Sequence, residues 1–226
     1  MEITLQEILK NPEYLQKIEE IKKVAREHRV PEMPELPEAF DFLTAMAEED
    51  DEKITALLPK LQDTREPRLL FLLGTVYMSG MYGAEKNEEK GLAFLTRAAE
   101  SQNKEARKSA EEWLSIYYDN REDWEKALYW SRKGANDRIP FCLRTLGYYY
   151  LDGIGVARDT KKAKEWLTEA AKQGNGSACS LLMQQSMEES DINGAMKWAR
   201  KGAGLNDPSC LSFLGMRSEE HTSELQ

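Results

Sequence analysis

Apolar and small residues recur at helical spacing along most of this chain, and one stretch carries the rule most fully. Leu143, Leu146, Gly147 and Tyr150 lie at i, i+3, i+4 and i+7, which is one face of an α-helix. A polar gap holding Gly153 and Gly155 follows, after which Ala163, Trp166, Leu167, Ala170 and Ala171 resume the period. The pattern predicts two helices joined by a turn. Glycine at 153 and 155 supplies backbone geometry that residues with a Cβ adopt poorly. Asp159 is placed to accept a bond from an orphan N–H at the start of the second helix. Gly147 and Ala163 are small, so the two backbones can approach closely.

The hairpin repeats. Pro67, Leu73, Gly74, Tyr77 and Gly80 stand in the order of Pro140, Leu146, Gly147, Tyr150 and Gly153. Asn87, Phe94, Leu95, Ala98, Ala99 and Asn103 then follow as Asp159, Trp166, Leu167, Ala170, Ala171 and Asn175 do. Pro208, Cys210, Leu211, Leu214 and Gly215 begin it again. Two shorter units lack the double-glycine turn, one with Ala127, Trp130, Gly134 and Ala135, the other with Ala195, Trp198, Gly202 and Ala203. Residues 38–66 read as a degenerate short unit with helices near 38–48 and 52–62. The repeat region 38–216 therefore divides into 38–66, 67–103, 104–137, 140–174, 176–206 and a truncated 208–216. Stacked units bury a continuous apolar seam that no single hairpin could bury, so the predicted fold is an all-α solenoid of helix hairpins. Trp130, Trp166 and Trp198 belong to that seam, and Tyr77 and Tyr150 to the core.

The long units contain Leu-Gly-x-x-Tyr-x-x-Gly-x-Gly-Val at 146–156, Ala-x-x-Trp at 163–166 and Ala-Ala-x-x-Gly at 170–174. In these elements they resemble Sel1-like repeats, a branch of the tetratricopeptide-like superfamily, over roughly residues 66–216. The resemblance is specific in 140–175, good in 67–103 and weaker in the short units. It implies a right-handed α-solenoid serving as an adaptor or scaffold. A cysteine-rich branch of that family pairs a cysteine near the start of a first helix with one ending the preceding helix. Here Cys142, Cys179 and Cys210 lie near such starts, but the partner positions hold Ala135, Ala171 and Ala203. The three are read as free, buried, small hydrophobes in a reducing compartment.

The two ends differ from the repeats. Thr4 and Glu7 form a capping box, Asn11-Pro12-Glu13 starts a helix, and Leu15, Ile18, Ile21, Val24 and Ala25 stripe it to about His28. Pro31, Pro34 and Pro37 break it. Residues 1–30 are thus a helical cap or arm and 31–37 a proline-rich linker. Linker composition leaves two roles open for that helix, closing the end of the solenoid or binding a partner on a tether. Residues 217–226, Arg-Ser-Glu-Glu-His-Thr-Ser-Glu-Leu-Gln, match the in-frame translation of a common sequencing-library adapter. They break the repeat at Met216, so they are expected to be non-native, with the natural chain continuing beyond. An unfinished C-terminal hairpin is expected to be sticky, giving self-association.

Composition narrows the partners. With 31 basic and 40 acidic residues the net charge is −9 at pH 7, and it stays acidic without the last ten residues. Nucleic acid, which needs a basic stripe, is not an expected partner. No stretch approaches the roughly 20 apolar residues of a membrane span, so no membrane partner is expected, and the first residues lack a secretory pattern, which predicts the cytoplasm. Asn175-Gly-Ser177 is a formal glycosylation sequon, incidental there. Catalytic chemistry is not recommended by any motif. His28 is a helix-end histidine far in sequence from the cysteines, no His/Cys cluster has metal-ligand spacing, and Gly153-Ile-Gly155 joins two helices rather than following a strand. Glu49-Asp50-Asp51-Glu52 reads as a solvated turn. Neither cofactor nor metal is expected, and the chain is not expected to be an enzyme.

Binding remains. In tetratricopeptide-like arrays the inner curve is lined by first-helix residues pointing away from the seam. In register with Leu146-Gly147 these are Phe141, Arg144, Tyr148 and Asp152, and in the earlier long unit Arg68, Phe71, Thr75 and Ser79. Aromatic and arginine side chains suit peptide recognition, although Phe141 and Tyr148 are also candidates for packing between units. The expected function is a scaffold binding a protein or peptide on its concave face; the alternative is a docking arm for an enzyme or signalling protein whose active part lies beyond Met216. Sequencing the source gene through codon 216 is expected to reveal further Leu-Gly-x-x-Tyr units. A gene that itself encodes residues 217–226 and stops there contradicts that expectation.

Overall fold

The computed structural model describes residues 37–48 and 50–223; the N-terminal helix and nearly all of the linker read from the sequence lie outside them. The described residues form eleven α-helices and no strand: α1 (Pro37–Glu48), α2 (Asp51–Leu57), α3 (Pro67–Ser79), α4 (Glu88–Ala99), α5 (Lys104–Asn120), α6 (Trp124–Asn136), α7 (Pro140–Asp152), α8 (Thr160–Lys172), α9 (Gly176–Glu188), α10 (Ile192–Ala203) and α11 (Pro208–Ser223), with a 3₁₀ turn at Leu58–Leu61. Two compact units divide within α5, Met1–Ala110 and Glu111–Gln226. In the first, α1 packs on α2 and the 3₁₀ turn, and α3 pairs with α4. In the second, α7 pairs with α8 and α9 with α10, while α6 contacts α7, α8 contacts α9, and α11 rests on α9 and α10. The second unit is hairpin stacked on hairpin in chain order. Among the described residues no helix is long and apolar enough to cross a membrane.

The helix starts are written in short polar side chains. Asn87, Asp123, Asp159, Asn175 and Asp191 each accept a bond from the N–H three residues on, and Asn103 and Asp207 do the same for Ala106 and Cys210. Such a cap contributes on the order of 1 kcal/mol. The acidic run read as a solvated turn is also a helix start. Asp50 caps the N–H of Lys53, and Asp51 and Glu52 occupy the first turn of α2, where negative charge complements the helix dipole. Helix α3 adds Pro67 in the first turn to a cap by Glu66, which accepts a bond from the Leu69 N–H, while α7 starts on Pro140 with no side-chain cap; the two end on Gly80 and Gly153 in the left-handed region, at φ 68° and 75°.

What joins the two helices of a long unit is a leucine seated on a glycine. A Cβ on Gly147 would lie 2.5 Å from Leu167 Cγ and 3.3 Å from the Ala163 carbonyl oxygen. A Cβ on Gly74 would lie 2.6 Å from Leu95 Cγ and 3.2 Å from the Gly91 oxygen. Both leucines are fully buried, which stabilises by about 1.5–3 kcal/mol each. The cysteines fill the next contact. Cys142 Sγ occupies the space beside Gly134, and Cys210 Sγ that beside Gly202, each 2.3 Å from where a Cβ would stand. All three cysteines are free and fully buried.

One core assignment changes. The helical period places Tyr150 in the core, but Tyr149 is the fully buried tyrosine, and Tyr150 is half-buried with Lys162 Nζ 5.4 Å from its ring centre. The reason is that α7 is covered on two sides, by α8 and by α6. Tyr149 faces the earlier helices, edge-on to Trp124 at 6.3 Å. Tyr77 is buried in the first unit, stacked on Phe94 and receiving a bond from Gln62. Trp130 is buried, whereas Trp166 and Trp198 are half-buried against the core of the second unit.

Gly147→Ala is expected to lower stability by about 1–2 kcal/mol, overpacking against Leu167 outweighing the gain in helix propensity. Gly215→Ala in α11, where an added Cβ would meet nothing of the described residues beyond its own helix within 4 Å, is expected to be neutral or slightly stabilising. Urea melts of the two variants check this; equal effects contradict it.

Candidate functional site

Helix α7 buries Cys142, Leu143, Leu146, Gly147 and Tyr149, and Phe141, Arg144, Tyr148 and Asp152 occupy the remaining arc. Phe141 and Arg144 are half-buried, Asp152 is exposed, and Tyr148 keeps 36% of its surface in solvent. The Arg144 guanidinium lies over the Phe141 ring, 4.8 Å from its centre, a cation–π contact. Its Nη2 reaches Thr145 Oγ1 only at 3.4 Å. Among the described residues it forms no ion pair within 4.0 Å. Burial depresses its pKa, and the charge of Asp119 acts in the opposite sense.

Asp119, near the end of α5, is engaged elsewhere: Tyr149 donates its phenolic hydrogen to Asp119 Oδ1 at 2.5 Å. Burial, then this bond, push the Tyr149 phenol up. Tyr148 is also raised, first by burial and then by the neighbouring charge of Asp152. The face therefore offers one arginine, one exposed tyrosine, a phenylalanine and the Asp152 carboxylate, with the buried Tyr149 and its acceptor Asp119 beside them. Sequence period finds Phe141, Arg144, Tyr148 and Asp152, but not Asp119 or Tyr149. Tyr149 stands among three consecutive tyrosines that a single helical wheel ranks by one neighbour only. Asp119 belongs to a helix without the Leu-Gly-x-x-Tyr signature.

The residues named in the first unit have less to offer a ligand. Arg68 Nη2 is bound to Glu105 Oε2 at 2.8 Å, both side chains being mostly exposed. Thr75 donates its hydroxyl to the Leu72 carbonyl at 2.8 Å, and Ser79 donates to the Thr75 carbonyl at 2.8 Å. Phe71 is half-buried. These four positions share α3, and each of the three polar side chains among them already has a partner.

The cysteines are not poised for chemistry. Burial raises all three thiols, Cys210 to about 12, and a thiol must ionise to act as nucleophile or metal ligand. Among the described residues no group of three His, Cys, Asp or Glu could hold a metal ion. Asn175 of the sequon accepts a bond from the Ala178 N–H at 2.9 Å, so its side chain serves as a helix cap.

Comparison with known proteins agrees with this architecture. The Sel1 repeat model matches residues 67–103, 121–137, 141–175 and 179–207, over half of the chain, and the chain belongs to the Sel1 repeat family. It is similar to chitin synthase regulatory factor 3 of Schizosaccharomyces pombe, 32% identical over 117 residues, which are 51% of this chain and 13% of that protein. It is also similar to the chitin synthase regulator SKT5 of Malassezia restricta, 26% identical over 136 residues, 59% of this chain and 9% of that protein. The matched part thus spans about a tenth of the length of these curated relatives. Among solved structures, a Sel1 repeat protein from Oxalobacter formigenes superposes with a TM-score of 0.61 at 17% identity, covering 92% of this chain and 81% of its own. The protective antigen c5321 of uropathogenic Escherichia coli, which has the same repeat fold, gives 0.60 at 19%, covering 94% and 45%. At such identities the likeness establishes the fold alone.

A folded-state thiol pKa raised above that of the unfolded chain contributes stability that is complete below about pH 8.5. For Cys210 that contribution is lost as the pH rises toward about 12. At pH 8 the native chain is accordingly expected to react slowly with Ellman's reagent, while the chain in guanidinium releases all three thiols. A native chain that reacts at the unfolded rate contradicts the buried, protonated assignment.

Proposed function

We propose that this chain is a non-catalytic interaction adaptor that holds a protein or peptide partner on the first-helix face of its repeats, the concave side expected of such an array, in the cytoplasm. The observation that carries the reading is the α7 face. Tyr148 is exposed beside half-buried Phe141 and Arg144 on a helix whose other arc is locked by packing. Tyrosine and arginine held on a rigid element are the residue types that dominate binding energy at interfaces. The names of the two fungal relatives, both regulators of chitin synthase, support a regulatory role in which the partner is itself an enzyme under control. A docking arm within a larger enzyme or signalling protein is the second reading, favoured by the small share of those relatives that the matched repeats occupy.

Cross-linking capture with the whole chain and with a Phe141→Ala/Tyr148→Ala double variant tests the adaptor reading. Partners captured by the native chain are expected to be lost from the variant, by about tenfold or more for a hot-spot pair, with the helical circular dichroism and melting temperature retained. An identical set of partners captured by both proteins at equal yield would remove this face from the function.

A further inference from the structure

We propose that the α7 face receives an acidic side chain of the partner, one aspartate or glutamate flanked by an apolar residue, with Arg144 as its receptor. The inference rests on the adaptor reading and adds the partner's chemistry to it. A guanidinium carries five N–H donors and no acceptor. Among the described residues the only hydrogen bond of Arg144 is the 3.4 Å contact to Thr145, and no carboxylate lies within 4.0 Å of it. A half-buried cation in this condition is costly, because burial removes water from donors that the protein does not satisfy.

The surroundings select the group that fits. Phe141 lies under the guanidinium, which leaves the in-plane N–H groups to a ligand, and a carboxylate matches that fork with two parallel bonds. Asp119 does not close the site: it accepts the bond from Tyr149, and neither of its oxygens lies within 4.0 Å of the Arg144 nitrogens. Tyr148, four residues along α7, supplies an exposed aromatic wall for the residue next to the acid. Asp119 and Asp152 set the upper limit on charge. They repel a second anion, as does a chain of net charge −9, so the geometry selects a single acid among apolar neighbours and rejects acidic runs and polyanions.

The test uses the whole chain and a random octapeptide array with amidated C-termini, on which only side chains can carry a carboxylate. The tightest binder is then measured in solution by fluorescence anisotropy, together with its Asp→Asn or Glu→Gln counterpart. The expected binder carries one acid beside an apolar residue, and its amide counterpart binds about tenfold more weakly. Arg144→Gln is expected to weaken the acidic peptide by the same factor and to leave the amide counterpart unchanged, with Arg144→Lys recovering part of the loss. Circular dichroism of both variants guards against misfolding. The proposal is overturned if the acid and its amide bind native chain equally, or if Arg144→Gln weakens both peptides alike. It is also overturned if binding appears only on a matched array with free C-termini, which assigns the carboxylate to a chain end. Binding that Tyr148→Ala abolishes, but that ignores Arg144 and the acid, sinks this inference and leaves the adaptor reading standing. Absence of binding on both arrays sinks both.

Discussion

A leucine of the second helix closing over a glycine of the first is the contact on which each long hairpin depends. Leu167 on Gly147 and Leu95 on Gly74 leave no room for a Cβ, so the backbones meet at a distance that only glycine allows. That approach aligns the two helices and fixes which arc of the first helix is covered. Burial of the leucines follows from the same geometry, as does the position of the alanines beside them. In the second unit the device recurs between hairpins, with cysteine as the knob. Cys142 enters the space beside Gly134 and Cys210 that beside Gly202. The sulfur is large enough to fill these gaps and polarizable enough to gain dispersion energy, and burial keeps the thiol protonated.

This packing has a consequence for function. A first helix within a stack is covered by its own second helix and by the preceding hairpin, as α7 is by α8 and α6. The arc that these neighbours leave is the one the proposed function assigns to a partner. On α7 that arc carries Phe141, Arg144, Tyr148 and Asp152, while on α3 the corresponding polar groups of Arg68 and Thr75 are answered locally. Repeats that share one packing solution can therefore differ in what they offer a partner. Family membership explains the covered arc and leaves the open one to be read residue by residue.

The repeats were legible in the sequence because their signals are local. Asp159 caps the helix it precedes, Gly153 adopts the left-handed geometry its turn needs, and Gly147 lies against Leu167. Two things were not legible. Helical period ranks Tyr150 above Tyr149 because it counts one neighbouring helix, whereas Trp124 and Asp119, which decide the matter, lie far back in sequence. The same holds for Arg144, whose position on the wheel is readable but whose lack of an acceptor depends on what the other elements bring near it. Asp50, Asp51 and Glu52 are exposed, as a solvated turn requires, and the structure adds that Asp50 caps the helix that follows.

The central claim is that the packing arc and the binding arc of a first helix are separate. A saturation scan of α7, scoring cellular abundance and partner retention for every substitution, tests it most directly. Substitutions at Leu143, Leu146, Gly147 and Tyr149 should lower abundance, while those at Arg144, Tyr148 and Asp152 should lower partner retention at normal abundance. If the second group lowers abundance as much as the first, the open arc is part of the fold and the account is wrong.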